Sequence, residues 1–356
     1  MTSPRWKRAP AGSNWGEFGP DDQRGRMNLV TPAKVLEGIA EVREGRTFCL
    51  SLPLDVPGGQ TMNPRRIAPR RYAVLRDGKS AGQQGFCWSY ASEDPDLTDV
   101  VNDDVVLMSL QYSTQWDSLA HVGSRFDADG DGVDEAVFYN GFRAGEHIRP
   151  GAEDTAAAAG SYARYREPSA DALGIENLAE HGVQGRGVLV DLEHHVGRTR
   201  QAVGYDALMR MLDADRVEIE AGDMVCVHTG FADTLLRMKR QPDVALLHQA
   251  GSGLDGWDEK LLNWIVDVKL ACLLADNPAV ELVVPKLTRP TPLRQPRLPL
   301  HEHCLFKNGI ALGELWYLTE LASWLRAHGR SRFLLTAPPL RLPGAVGSPA
   351  TPIATV

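Results

Sequence analysis

The sequence predicts an α/β protein whose central mixed sheet is covered by helices. In its second half, short apolar runs that are typical of buried strands alternate with segments whose apolar residues recur at helical spacing. Such an alternation implies crossover connections between neighbouring strands. Strands are predicted at 187–192, 223–231, 270–275 and 332–336, and helices at 205–214, 257–268 and 315–327.

The first half of the chain is less regular. Thr31 and Pro32 are suited to the N-cap and the first position of a helix, which is predicted over 33–42. A strand is predicted at 47–54, another at 71–75 within long loops, and a short helix within 170–181. The apolar run VVLMSLQ at 105–111 predicts a buried strand that leads directly into STQWDSLAH.

Length and composition bound the organisation of the chain. We expect residues 1–14 to form a flexible N-terminal arm and residues 15–356 to form a single domain. A Pro/Gly-rich tail from about residue 338 is expected to wrap the surface or a neighbouring subunit. The formal net charge of −8 argues against a nucleic-acid partner, which would require a basic surface.

Hydropathy and cysteine usage point to a cytoplasmic protein without a membrane partner. No uninterrupted apolar run reaches the length of a membrane span, and the first residues lack the apolar core of a secretory signal. The five cysteines are scattered without Cys-x-x-Cys spacing. Such a set is typical of reduced thiols in the cytosol.

Two groups of polar residues are candidates for chemistry. Gln111, Gln115, Asp117 and His121 follow the predicted strand at 105–111. A carboxylate and an imidazole placed together can bind a metal or move a proton, although a solvated turn would also explain them.

The second group is His301, Glu302, His303 and Glu314. His and Glu are ligands for zinc or manganese, and Glu314 lies in an apolar run where its carboxylate would need a partner. The alternative for Glu314 is a carboxylate that interacts with the N-terminus of a helix.

Several segments of the sequence together resemble a known family. LQYSTQWDSLAHVG resembles the cyclase-family signature, in which His, three residues, His, one residue, Asp, three residues and His follow one another. The family includes kynurenine formamidase and isatin hydrolase. The segments NWGEFGPDDQRGRMNLVTPAKVLEG, GRGVLVDL, IEAGDMVCVHTGF, LLADNPAVE, LHEHCLFKNGIALGELWYLTELA and LRLPGAVGSPATPIATV also match it in order, from about Trp15 to Val356.

The resemblance implies a swivelling β/β/α fold, a homodimer or homotetramer, and hydrolysis of a small amide or cyclic amide. It further implies a divalent metal, Mn or Zn, with Asp117 as a retained ligand and His121 as the base that activates water. His301 and Glu314 best match the family's downstream ligands, and His303 stays an alternative to His301.

The sequence departs from the signature at its first two histidines, which are replaced by Gln111 and Gln115. A glutamine carbonyl oxygen is a neutral ligand that suits harder ions better than zinc. We therefore expect both residues either to complete a weakened metal site with Asp117, or to bind a substrate carbonyl through their amide NH₂ groups.

Three functions remain open from the sequence. The leading hypothesis is a metal-dependent hydrolase of a small amide, lactone or cyclic amide. The second is a metal-independent lyase or cyclase that uses His121 and Asp117 as an acid–base pair. The third is a non-catalytic small-molecule binding protein.

Several further residues have two interpretations each. Trp116 is either a wall of the substrate pocket or a core residue, and Asp276 is either a pocket residue at a strand end or part of a turn. The acidic loop at 127–135 resembles the start of a calcium loop, although a solvated turn explains it better.

Overall fold

The computed structural model describes residues 4–76, 83–157, 165–283 and 295–356. The α-helices are α1 (Pro32–Ala40), α2 (Glu176–His181), α3 (Leu192–Val196), α4 (Tyr205–Asp215), α5 (Phe231–Arg237), α6 (Val244–Leu247), α7 (Glu259–Asp267), α8 (Pro299–His301) and α9 (Thr319–Ala327), with a π-helical turn at Glu302–Lys307 and 3₁₀ turns at Gly25–Leu29, Tyr90–Ser92 and Tyr139–Gly141.

The strands of the described residues are numbered in chain order. They are β1 (Thr47–Cys49), β2 (Arg70–Ala73), β3 (Trp88–Ser89), β4 (Val100–Val101), β5 (Asp104–Leu107), β6 (Gln115–Asp117), β7 (Ser124–Phe126), β8 (Glu135–Val137), β9 (Ile148–Arg149), β10 (Ala152–Glu153), β11 (Tyr165–Arg166), β12 (Ser169–Ala170), β13 (Gln184–Asp191), β14 (Ala202–Val203), β15 (Met224–His228), β16 (Gly253–Leu254), β17 (Cys272–Ala275), β18 (Ala311–Glu314), β19 (Arg332–Thr336), β20 (Gly347–Pro349) and β21 (Ile353–Thr355).

A nine-stranded mixed sheet organises the fold, in the order β1-β21-β19-β13-β15-β17-β18-β6-β20. Its centre is a parallel set, β13-β15-β17-β18, and antiparallel strands flank this set on both sides. The carboxyl ends of the parallel strands therefore meet at one edge, which is where α/β folds place ligands.

Helices cover both faces of this sheet, because successive side chains of each central strand point to opposite sides. On β15, Val225 and Val227 belong to one buried cluster, whereas Met224 and Cys226 belong to the other. Side chains of α4, α7 and the π-helical turn fill the first cluster, and those of α2 and α9 fill the second. The predicted α/β fold, a mixed sheet covered by helices, is confirmed.

Most predicted elements are present with shorter bounds. The helix that begins at Pro32 is capped as expected, since Thr31 Oγ1 accepts a hydrogen bond from the backbone N–H of Lys34 at 3.3 Å. The helix predicted at 315–327 begins only at Thr319, because the backbone N–H groups of residues 315–317 donate hydrogen bonds to carbonyls of other segments.

The buried strand predicted at 105–111 is wrong. The apolar run instead contributes to β5, which pairs with β2 and with no other strand in the described part of the chain, and it leaves Val105, Val106 and Leu107 about half exposed at 51%, 48% and 47%. The buried strand is β6, formed by the signature residues themselves. Apolar composition indicated a strand here but could not indicate which segment joins the main sheet.

The C-terminal tail enters the sheet rather than only wrapping the surface. Strand β20 pairs with β6, and β21 pairs with both β19 and β1. The described part of the N-terminal arm contacts the domain, with the ring centroid of Trp6 lying 5.4 Å from that of Trp15. Its flexibility stays a prediction. No helix among the described residues is long and apolar enough to cross a membrane.

Candidate active site

The candidate site lies at the carboxyl edge of the parallel strands. Glu314 is the last residue of β18, and its backbone partner on the antiparallel β6 is Gln115. Asp117 is paired with Leu312 two positions further along. Because the side-chain period of a strand is two, Gln115, Asp117 and Glu314 all point to the same face of the sheet.

Three of the predicted residues form a compact cluster. Asp117, His301 and Glu314 each offer one ligand atom, and these atoms all lie within 4.8 Å of one another. The three residues are 0%, 2% and 3% exposed. Two carboxylates and an imidazole in such a buried arrangement are a suitable ligand set for Mn²⁺ or Zn²⁺.

Asp117 is incompletely satisfied by the protein. Its Oδ1 atom lies 3.4 Å from Gln115 Nε2 and 3.8 Å from His121 Nε2, the latter beyond hydrogen-bonding distance. Its Oδ2 atom is buried without a hydrogen-bond partner among the described residues. A buried carboxylate oxygen without a partner is unfavourable, so the donor set fits a bound cation.

His301 lies between two carboxylates. Its Nδ1 is 2.8 Å from Glu281 Oε1, and its Nε2 is 3.2 Å from Glu314 Oε1. Burial lowers the pKa of His301, but the hydrogen bonds to Glu281 and Glu314 outweigh burial and raise this pKa to about 10. Burial, followed by the nearby charge of Asp117, raises the pKa of Glu314. The cluster thus favours a positive charge at its centre.

Sequence reasoning missed Glu281 as a site residue. Its carboxylate accepts hydrogen bonds from the backbone N–H groups of Leu300 (3.2 Å) and His301 (3.1 Å), in addition to its contact with the His301 ring. A carboxylate in this position fixes the orientation and tautomer of a ligating imidazole. Glu281 ends the family-like segment LLADNPAVE, which was the only signal in the sequence.

Gln115 presents its amide nitrogen to the carboxylates. Its Nε2 donates to Glu314 Oε2 at 2.9 Å, and its Oε1 accepts from Arg66 Nη1 at 3.4 Å. Reversing the amide would place NH₂ against the Arg66 guanidinium, which is also a donor. In this orientation the Gln115 carbonyl oxygen is directed away from the ligand cluster.

Gln111 is half-buried beside the cluster. It lines the same cavity as His121, His301 and Glu314. A Cβ atom at Gly347 would lie 2.5 Å from Gln111 Nε2, so strand β20 leaves room for this amide by carrying glycine.

A cavity of about 700 Å³ opens over the cluster. The His121 side chain, 25% exposed, forms part of its wall. This size suits a small organic molecule. The site therefore combines a buried ligand cluster with an accessible imidazole.

Two predicted substrate-binding residues lie elsewhere. Trp116 points to the opposite face from Gln115 and Asp117, where it is fully buried, donates to the Ala337 carbonyl at 2.8 Å and packs on Trp316. Asp276 is buried and accepts hydrogen bonds from the backbone N–H groups of Thr229 (2.7 Å) and Gly230 (2.8 Å). Neither residue lines the cavity over the cluster, whereas Asn277 does.

The structure also places the remaining candidates. His303 lies outside the cluster, next to Asn308, and burial lowers its pKa to about 4. Ligand atoms of Asp127, Asp129 and Asp131 lie within 4.8 Å of one another in the acidic loop. Backbone N–H groups of that loop bond to all three carboxylates. Calcium binding there stays a prediction.

Comparison with known proteins identifies the family. The family model described as "Cyclase: Putative cyclase" matches residues 50–282. The chain belongs to this cyclase family. A crystal structure described as that of a novel cyclase is 30% identical, covers 97% of this chain and 97% of its own, and superposes with a TM-score of 0.71.

More distant members of this cyclase fold are isatin hydrolases. Isatin hydrolase A from Labrenzia aggregata, bound to benzyl benzoate, is 12% identical over 87% of this chain and 93% of its own, with a TM-score of 0.52. An isatin hydrolase bound to the product analogue thioisatinate is 14% identical over 91% and 95%, with a TM-score of 0.51. At these identities the likeness concerns the fold. No curated protein matches the sequence.

Proposed function

We propose that this cyclase-family protein hydrolyses a small amide, lactone or cyclic amide with the help of a divalent cation. The observation that carries the proposal is the buried Asp117–His301–Glu314 cluster, with the unpartnered Oδ2 of Asp117, at the base of a cavity. The hydrolytic activity in the names of the isatin hydrolases, which share the fold, gives independent support.

Asp117, His301 and Glu314 would hold the ion, with Glu281 positioning the His301 ring. A bound divalent cation supplies Lewis-acid polarisation of a carbonyl group and acidifies water. A site with these three protein ligands would resemble catalytic metal sites, which keep a position for water or substrate, rather than closed structural ones.

His121 supplies the proton transfer in this proposal. Its imidazole faces the cavity, and its Nε2 atom is 3.8 Å from Asp117 Oδ1. The neutral ring accepts a proton from the water that attacks the substrate carbonyl carbon. It then returns this proton to the leaving nitrogen or oxygen as the C–N or C–O bond breaks.

The amide of Gln115 stabilises the charged cluster. Its NH₂ group lies between the carboxylates of Glu314 and Asp117, whose mutual repulsion it reduces. Gln111, on the cavity wall, is free to contact the substrate carbonyl through its own NH₂ group.

The testing experiment is elemental analysis of purified protein exposed to Mn²⁺ and Zn²⁺, with hydrolysis of an aryl formamide, a lactone and a cyclic imide measured in parallel. We expect Asp117→Ala to lose both the ion and the activity. Asp206→Ala is the matched control, since it removes an exposed carboxylate of α4 that belongs to neither carboxylate cluster, and it should retain both.

A metal-independent lyase or cyclase is the second candidate, and the proximity of His121 to Asp117 supports it. Turnover that survives complete removal of divalent ions but is abolished by His121→Ala would favour this candidate and overturn the metal-dependent hydrolase.

We further propose that the protein forms homodimers or homotetramers. The strand pair β2–β5 supports this proposal, because it leaves Tyr72, Val105 and Val106 exposed on a sheet outside the main one. Exposed apolar patches of this kind are typical of protein interfaces. Light scattering would give the mass, and a monomeric mass would contradict the proposal.

A further inference from the structure

The wall of the cavity over the cluster carries an unusual concentration of positive charge. Its lining includes four arginines: Arg65, Arg66, Arg200 and Arg297. The chain as a whole has 38 Lys and Arg residues against 46 Asp and Glu residues. Acidic residues thus outnumber basic ones in the whole chain, whereas basic residues outnumber acidic ones in the lining of this cavity.

The acidic residues of the same wall form no close ion pair with these arginines, although the charge of Arg66 acts on Glu314 and lowers its pKa. These acidic residues are Glu281 and Glu314, and both are hydrogen-bonded to His301 at the base. Among the residues that the structure describes, none of the four guanidinium groups forms an ion pair with a carboxylate. Their donors are therefore left to neutral acceptors, solvent or a ligand.

Two of these arginines are fixed by neutral acceptors. Arg66 donates from Nη1 to Gln115 Oε1 at 3.4 Å, which places it next to the ligand cluster. Arg200 donates from Nη2 to the Val283 carbonyl at 2.7 Å. A guanidinium group has five N–H donors, so each of these side chains keeps further donors for a ligand.

One part of the wall is apolar, and neutral polar residues such as Asn63, Ser252 and Asn277 lie beside it. The apolar side chains include Met62, Phe231, Val244, Leu247 and Leu282. A ligand that matches both parts of the wall has an apolar or aromatic body and a negatively charged group. Carboxylate is the anion whose geometry best matches the fork of a guanidinium group.

We propose that the substrate carries a carboxylate in addition to its hydrolysable bond, and that Arg66 and Arg200 bind this carboxylate above the cluster. This inference rests on the proposed function for the presence of a hydrolysable bond. The anion site itself does not depend on that function, because binding can be measured without turnover.

The test compares phenylacetate with phenylacetamide, which has nearly the same shape without the charge, by calorimetry on the purified protein. We expect phenylacetate to bind on the order of tenfold to a hundredfold more tightly, as is typical for hydrogen bonds to a charged group. Arg66→Gln and Arg200→Gln should each remove most of this preference.

Arg210→Gln is the matched control. Arg210 lies exposed on α4, outside the lining of the cavity, so its variant loses the same charge and should retain the preference. Arg200→Lys, which keeps the charge but loses the fork, should retain part of it. Thermal unfolding of each variant checks that the fold is unchanged.

Three results would overturn the inference. The first is equal affinity for the acid and the amide, or no binding of either at millimolar concentration. The second is a preference that both arginine variants keep but that chelation of divalent ions removes, since the carboxylate would then bind the ion itself. The third is a change of oligomeric mass in the arginine variants without any change in preference. Absence of hydrolysis in every assay, by contrast, would overturn only the proposed function.

Discussion

Cation binding at the Asp117–His301–Glu314 cluster should strengthen as the pH rises. Without a cation, the hydrogen bonds to Glu281 and Glu314 raise the pKa of His301 to about 10, so its imidazole is protonated at neutral pH. A metal ligand must be deprotonated, and binding therefore has to displace this proton.

The magnitude follows from that pKa. Removing a proton from a group with a pKa of about 10 costs about 4 kcal/mol at pH 7 and about 1.4 kcal/mol less for each unit by which the pH is raised. The apparent affinity for Mn²⁺ should thus increase about tenfold per pH unit between about pH 6 and pH 8. Calorimetry in two buffers of different ionisation enthalpy would count the released protons.

Glu281→Gln should change this dependence in two opposing directions. The variant loses the carboxylate that orients the His301 ring, which typically lowers metal affinity about 10-fold to 100-fold. It also weakens one of the two hydrogen bonds that retain the proton, so the pKa of His301 falls and proton competition decreases. We expect weaker binding than wild type at high pH and a smaller difference at low pH.

Glu302→Gln is the control for this variant. Glu302 is adjacent in sequence to His301, but its Oε1 accepts from Ser124 Oγ at 2.7 Å and it lies outside the ligand cluster. Its binding curve should follow that of the wild type. An affinity that does not change with pH in the wild-type protein would refute the reasoning, because His301 would then not exchange a proton for the ion.

Three further results are expected. His121→Ala should lower kcat about 100-fold to 10,000-fold while leaving the metal content unchanged, which elemental analysis of the same sample would verify; a loss of metal would make His121 a ligand instead. Asp223→Ala should lower the free energy of unfolding by about 3 kcal/mol in urea titrations, because it leaves the buried Arg186 without its bidentate partner at 2.8 and 3.1 Å. Glu220→Ala, which removes a half-exposed partner of Arg186, should cost about 1 kcal/mol or less, and equal losses in both variants would contradict this account. A thiol reagent at pH 8 should modify two of the five cysteines in the native protein and all five after unfolding, because burial raises the pKa of the other three; the reactive pair is Cys49 and Cys87.

The alternation of strands and helices was predictable because it depends on local sequence. The apolar runs around 187–192, 223–231 and 270–275 form β13, β15 and β17, since a strand buried on both faces needs apolar residues throughout. Pairing between segments distant in the chain is not local. Strand β20 pairs with β6 and so brings residues near 348 beside residues near 116. The spacing of apolar residues along the sequence did not predict this pairing.

The geometry of the candidate site was only partly predictable from the sequence. The sequence indicated three residues that the structure places in one cluster. Asp117 belongs to the family signature, His301 and Glu314 match the family's downstream ligands, and Glu314 is also an isolated carboxylate in an apolar segment. The placement of Trp116 required knowledge of the strand, because the alternation of β6 directs its ring away from the cavity. Glu281 contacts His301, which lies 20 positions further along the chain, and no spacing rule connects the two residues.

The contacts of Gln115 explain how a glutamine fits this position of the signature. An imidazole at position 115 would add a neutral or positive ring between Asp117 and Glu314, whereas the glutamine amide donates hydrogen bonds to both carboxylates and accepts one from Arg66. A donor held in this way stabilises two adjacent negative charges without occupying a coordination position. The change from histidine to glutamine is therefore compatible with a retained cation site of three ligands, and it links that site through Arg66 to the arginine-lined wall above it.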